Sequence, residues 1–115
     1  MSKFKDEVIK MIGAIPHGKV VSYGQIAAYL GTPRAARAVG MILNKLPPDT
    51  DVPWWRVVNN SGRITIKGSI FTPDDQAARL KAEGIAISNE YELDIEKHRF
   101  LGAYPERAYP VRPSP

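Results

Sequence analysis

Phe4, Val8, Met11, Ile12 and Ile15 recur along the chain with Lys3, Lys5, Asp6, Glu7 and Lys10 between them. Spacings of three and four gather the apolar set on one stripe. Residues 3–15 are therefore predicted as an amphipathic helix, which Pro16 ends. Val20-Val21 follow as a short strand or extended connector. Ser22, with Gln25 three residues on, has the form of a capping box. Ile26, Ala27 and Leu30 give the second helix its apolar side, and Gly31 suits the position just past its end. Thr32-Pro33 opens a third helix at once, with threonine as N-cap and proline at the first helical position. That helix is predicted to reach Asn44, ahead of Pro47-Pro48. Two helices joined by a tight Gly-containing turn have the form of a helix-turn-helix, a pairing that ordinary helical proteins also use.

The pattern changes after Pro47. A loop leads to Pro53-Trp54-Trp55-Arg56-Val57. Proline fixes its own φ and biases Val52 towards extended backbone, so both tryptophans are expected on a stiff, non-helical segment. Arg56–Asn59, a turn at Asn60-Ser61-Gly62, and Arg63–Ile66 predict a β-hairpin. Lys67-Gly68-Ser69 is another loop. Thr72 then caps a fourth helix, with Pro73 at its first position, Asp74 and Asp75 at the positive end of its dipole, and Gly84 at its end. Tyr91, Leu93 and Ile95 alternate as a strand would. From Leu101 on, four prolines in fifteen residues predict an irregular tail. The organisation expected is one domain over residues 1–100 and a Pro-rich tail over 101–115.

Composition narrows the chemistry. A chain of 115 residues supports one modest core. No apolar run is long enough for a bilayer, and the N-terminus lacks the apolar stretch of a signal peptide, so no membrane partner is expected. There is no cysteine, which excludes disulfides, thiolate metal sites and a cysteine nucleophile. His17 and His98 form no metal-ligand pattern, and neither a metal nor a cofactor is expected. The expected location is the cytoplasm and nucleoid of a bacterium or the nucleus of a eukaryote. Between Lys19 and Lys67 there are seven basic and two acidic residues, a net +5, against nine basic and ten acidic elsewhere, a net −1. A basic middle in a near-neutral chain suggests a polyanion-binding face.

The third helix sits in that basic stretch. Ala35, Ala36, Ala38 and Gly40 give it a thin surface, and Arg34 and Arg37 share a face near Met41 and Lys45. A thin face lets the helix approach a DNA backbone while the arginines meet phosphates or enter a groove. The alternative is close helix–helix packing at the alanines with solvated arginines.

Four segments in this order resemble one family. Pro53-Trp54-Trp55-Arg56-Val57 resembles the Pro-Cys-His-Arg-Val active-site motif of the O6-alkylguanine-DNA alkyltransferases, with both reactive residues replaced. Val20-Val21-Ser22-Tyr23-Gly24-Gln25 resembles the segment opening their helix-turn-helix, Arg37-Ala38-Val39-Gly40 their recognition helix, and Leu80-Lys81-Ala82-Glu83-Gly84-Ile85 the end of their C-terminal helix. Tryptophan in place of the cysteine marks the alkyltransferase-like proteins. The likeness covers roughly residues 4–95.

The resemblance implies a mainly α, helix-turn-helix (winged-helix-like) domain with a small β-hairpin, like the alkyltransferase C-terminal domain. In those enzymes a histidine-activated thiolate attacks the alkyl group. This chain offers neither group at that motif, so no catalytic residue is expected. The implied DNA face is Arg34, Ala38 and Gly40 together with Tyr23, which crowds the target phosphate, and Arg37, which fills the gap left by a flipped base. The implied lesion pocket comprises Tyr23, Trp54, Val57, Lys67 and Asn44. There the main-chain carbonyls of Trp54 and Val57 accept hydrogen bonds from the base, Lys67 lies beside it, and Asn44 braces the Trp54 loop. Arg56 and Glu83 are implied structural partners, with Glu83 deprived of the histidine it supports in the enzymes. Trp55 is read as core packing. The implied function is binding of O6-alkylguanine in double-stranded DNA, through contact of the helix-turn-helix with the minor groove, by a monomer that flips the base, transfers nothing and flags the lesion to nucleotide excision repair proteins. A helix-turn-helix transcriptional regulator reading sequence through its third helix is the alternative.

Overall fold

The fold is described from a computed structural model covering residues 3–68 and 70–101. Helix α1 spans Lys3–Gly13 and buries Val8, Met11 and Ile12, the stripe set by its periodicity. Strand β1 is only Val21–Ser22. Ser22 then caps α2, Tyr23–Tyr29. Its Oγ accepts the Gln25 amide at 2.9 Å, and the Gln25 side chain accepts the Ser22 amide at 3.3 Å. Gly31 turns the chain at φ +82°, a conformation that costs glycine little. Thr32 makes no side-chain cap, and Pro33–Ala35 form a single 3-10 turn before α3, Ala36–Asn44. The third helix therefore starts three residues later than expected, and α2 and α3 form the helix-turn-helix.

Trp54–Arg56 wind into another 3-10 turn, and β2 follows as Val57–Val58. The expected hairpin is not formed. Val57 and Val58 pair in parallel with Val21 and Ser22. The reason lies in Asn59, whose Oδ1 accepts from the Ser61 amide, the Ser61 hydroxyl and the Arg63 amide. A side chain that satisfies the backbone locally replaces a strand ladder. Gly62 is required where it stands: its φ is +85°, and any Cβ would run into the Leu93 carbonyl.

Helix α4, Pro73–Ala82, is capped as expected, with Thr72 Oγ1 accepting the Asp75 amide at 3.2 Å. The expected strand over Tyr91, Leu93 and Ile95 forms only in part: Glu92 makes an isolated antiparallel bridge with Arg63, the Ile64 amide donates to the Tyr91 carbonyl, and the Leu93 amide donates to the Gly62 carbonyl. Tyr91 lies in the left-handed region at φ 61°, with its hydroxyl on the Asp74 carboxylate, and Ile95–His98 form a short helix, α5. The chain then runs beside Val20, which donates to the His98 carbonyl and accepts from the Phe100 amide. One core joins these pieces: Val8 and Ile12 from α1, Ile26 from α2, Val39 and Leu43 from α3, and Leu80 from α4. Apart from Leu101, the Pro-rich tail lies outside the described residues.

Candidate nucleic-acid interface

The capping box sets Tyr23 at the first position of α2, where its ring faces α3. A Cβ at Gly40 would touch ring atom Cε1 at 3.8 Å, so only a very small residue fits between them without displacing the ring. Burial raises the Tyr23 phenol above its usual range, against a smaller lowering by a hydrogen bond with the Thr65 side chain. The phenol is thus neutral and already engaged. Thr65 lies between buried Ile64 and Ile66, so it faces outward by the alternation of extended chain.

Tyr23 forms part of the wall of an open groove of about 510 Å³. Arg37, Gly40, Met41 and Asn44 of α3 line one side, and Asn59, Asn60, Thr65 and Lys67 line the other. Arg37, Asn44 and Lys67 are exposed. Five of the residues assigned from sequence therefore meet at one place: Tyr23, Arg37, Gly40, Asn44 and Lys67. Asn44 does not brace the Trp54 loop. Its side chain makes no hydrogen bond to that segment among the described residues, and its Oδ1 instead lies 3.3 Å from where a Gly68 Cβ would stand.

Four others fall elsewhere. Arg34 lies in the 3-10 turn ahead of α3 and lines a separate hollow with Thr32, Pro33 and Ala35, outside the groove. Ala38 turns to the opposite side of α3, towards Phe4 and Lys5. Val57 is fully buried, and Trp54 is only 2% exposed, stacked on Phe71 at 4.6 Å and edge-on to Trp55 at 5.9 Å. Trp54 is thus core and not part of the groove's lining. The two carbonyls assigned to a bound base already accept bonds: that of Trp54 from the Val57 amide, that of Val57 from Gln76 Nε2 at 2.8 Å. A carbonyl keeps a second lone pair, so each has one acceptor site left.

Trp55 is the half-exposed member of the pair. Its indole Nε1–H donates to Glu83 Oε2 at 2.8 Å, and its ring lies 4.8 Å from the Arg79 guanidinium and 5.4 Å from that of Arg56. Glu83 therefore has a ring N–H partner after all. It also accepts the Gly18 amide at 2.9 Å and Arg56 Nη2 at 2.7 Å, while Arg56 Nη1 reaches the Ile15 carbonyl at 2.7 Å. Burial pushes the Glu83 carboxyl up, but the bonds from Arg56, Gly18 and Trp55 outweigh it and hold the group at about 2. The site is a fixed anion, fully used by its neighbours.

Gln76 and Arg79 had no role in the sequence reading. Gln76 is 1% exposed and donates to the Trp55 and Val57 carbonyls at 3.0 and 2.8 Å. The signal was present: Gln76, Leu80 and Glu83 fall at i, i+4 and i+7, one stripe of α4. Arg79 ion-pairs with Asp75 one turn back, at 3.1 Å.

A helix-turn-helix whose second helix carries an exposed arginine beside an open groove defines a DNA-binding class. Residues 3–85 match the DNA binding domain of 6-O-methylguanine DNA methyltransferase, and the chain belongs to that family as an alkyltransferase-like member. It is 41% identical over 99 residues to the DNA base-flipping protein of Escherichia coli K12, covering 84% of this chain and 74% of the relative. It is 38% identical over 102 residues to alkyltransferase-like protein 1 of Schizosaccharomyces pombe, covering 85% and 94%. The S. pombe Atl1 structure in complex with damaged DNA containing O6-carboxymethylguanine superposes with a TM-score of 0.82 at 37% identity, over 89% of this chain and 98% of that one. The Mycobacterium tuberculosis OGT in complex with DNA gives 0.63 at 36% identity, over 73% and 50%.

Proposed function

We propose that this protein binds double-stranded DNA containing O6-alkylguanine, holds the damaged base out of the stack and transfers no alkyl group. The observation that carries the reading is the groove itself, where Tyr23, Arg37 and Lys67 surround a space beside an exposed helix on a chain without cysteine. Transfer needs a thiolate and a base. The tryptophan at the thiolate position is buried, and Glu83 is committed to three donors. Extruding a base costs a few kcal/mol, least for a damaged one, so the weakened pair supplies part of the selectivity. Arg37 fills the vacated stack, Lys67 lies beside the base, and Tyr23 presents its ring, since its hydroxyl is held by Thr65. The bound monomer then marks the site for nucleotide excision repair proteins.

The test is a paired titration at fixed salt of one duplex carrying O6-methylguanine and the same duplex carrying guanine. The lesion duplex binds tighter, and the masses of oligonucleotide and protein stay unchanged after incubation. Equal affinities overturn lesion recognition, and a methylated protein overturns the non-catalytic reading. Arg37→Ala weakens lesion binding markedly; a change within twofold, about 0.4 kcal/mol, removes Arg37 from the role.

A further inference from the structure

The exposed edge of α3 and its C-cap is a row at i, i+4 and i+8: Arg37, Met41 and Lys45. It has a hollow on each side. One is the Tyr23 groove. The other, about 400 Å³, lies between α1 and α3 and is lined by Phe4, Lys5, Ala38, Met41, Ile42 and Lys45. Met41, 53% exposed, belongs to both. The chemistry of the second hollow is an apolar floor with an ammonium group from each flanking helix.

A duplex groove has two walls, one per strand. The B-form minor groove is about 6 Å wide, and a helix with its side chains is about 10–12 Å across. A helix entering it meets both backbones at once, even with small residues on both flanks, Ala36 and Gly40 on one and Ala38 on the other. If the Tyr23 groove takes the damaged strand, the hollow across the ridge faces the other. We infer that the hollow between α1 and α3 seats the sugar-phosphate backbone of the undamaged, complementary strand. Lys5 and Lys45 sit on its phosphates, and Phe4, Ala38 and Ile42 lie against its deoxyribose. Helix α1, which belongs to neither helix of the helix-turn-helix, thereby becomes part of the DNA footprint. Ala38 gains a reason to be small, since a longer side chain would fill the seat. The inference rests on the proposed lesion-strand role of the first groove, and charge complementarity and the shared Met41 support it.

The probe is an O6-methylguanine duplex titrated at several salt concentrations with wild type and with Lys5→Ala/Lys45→Ala, whose melting temperatures are compared first. Losing two phosphate contacts makes the plot of log affinity against log salt shallower by about 1.8. Single methylphosphonates walked along the complementary strand weaken wild type at one or two adjacent positions and the double variant at neither. Affinity for the single-stranded lesion oligonucleotide stays the same in both. Ala38→Leu, which fills the seat and keeps both charges, weakens duplex binding with the slope unchanged. An unchanged slope in the double variant with duplex binding intact overturns the inference and leaves the hollow to a protein partner. So does an equal loss on the single strand. Failure of the lesion reading is read separately: wild type that binds lesion and undamaged duplexes equally, while the slope still falls in the variant, keeps the complementary-strand seat and removes lesion recognition.

Discussion

Two regions of the molecule use charge in opposite ways. Around α4, the Glu83 carboxylate meets Gly18, Trp55 and Arg56, Arg56 also reaches Ile15, and Gln76 ties down two carbonyls of the Trp54–Val58 segment. Along α3, Arg37 and Lys45 stand exposed, as does Lys67 across the groove, and none forms an ion pair among the described residues. Charge consumed inside the protein fixes position. Charge left outside is available to an external anion. The neighbouring tryptophans differ on a smaller scale: Trp54 uses its ring, against Phe71 and the Arg79 guanidinium, while Trp55 also spends its indole N–H on the anchor.

The contrast is broken most severely by Glu83→Ala. Removing one member of a buried pair leaves Arg56 uncompensated, at a cost of about 3–5 kcal/mol in denaturant unfolding. A loss below about 1 kcal/mol would mean that the anchor is dispensable. Acid probes the same group. The folded Glu83 carboxyl lies near 2 against an ordinary 4.5. A depressed folded value stabilises above the unfolded value, and that stability is lost as pH falls towards the folded one. The native state should lose about 3 kcal/mol between about pH 5 and about pH 2 through this residue. Unfolding midpoints of wild type and Glu83→Gln across that range measure it, and parallel pH profiles would refute it.

Trp55→Phe keeps an aromatic ring but removes the N–H together with the second ring of the indole, which packs near the Arg56 and Arg79 guanidiniums. A bond to a charged acceptor is worth about 1.5–3 kcal/mol, which should appear as lost stability in the same assay. Gln76→Leu has a smaller effect, about 1 kcal/mol. It strips a donor from the Trp55 and Val57 carbonyls but also removes Gln76 Oε1, which is buried and unpartnered among the described residues. On the other side of the molecule, Arg37→Ala should leave stability within about 0.5 kcal/mol, as exposed substitutions do. A large drop would show that Arg37 supports the fold and erase the contrast.

Much of this was legible in the chain. The α1 stripe, the Ser22–Gln25 capping box, the Thr72-Pro73 start of α4 and the absence of a thiol each depend on residues within a turn or two, or on composition. Periodicity and caps are local, so sequence specifies them. Tyr23, Arg37, Gly40, Asn44 and Lys67 could be named together only because a motif order resembled a known family. Their meeting at one groove is a property of the fold.

What the sequence left open depended on partners far along the chain. Val57 and Val58 carry strand propensity but not the identity of their partner, and β1, with a different local history, took them in place of the adjacent segment. Successive residues of a 3-10 turn point about 120° apart, so one of Trp54 and Trp55 must face away from whatever the other faces. No local pattern says which. Packing against Phe71 drew Trp54 inward, and Glu83, 28 residues on, held Trp55 at the rim. The sequence by itself determined that this chain would build a helix-turn-helix without a nucleophile. Only the tertiary structure decided that the tryptophan at the nucleophile's position is core, and that a second hollow opens beyond α3. Burial and groove shape arise from the relative placement of whole elements, which no short stretch of residues encodes.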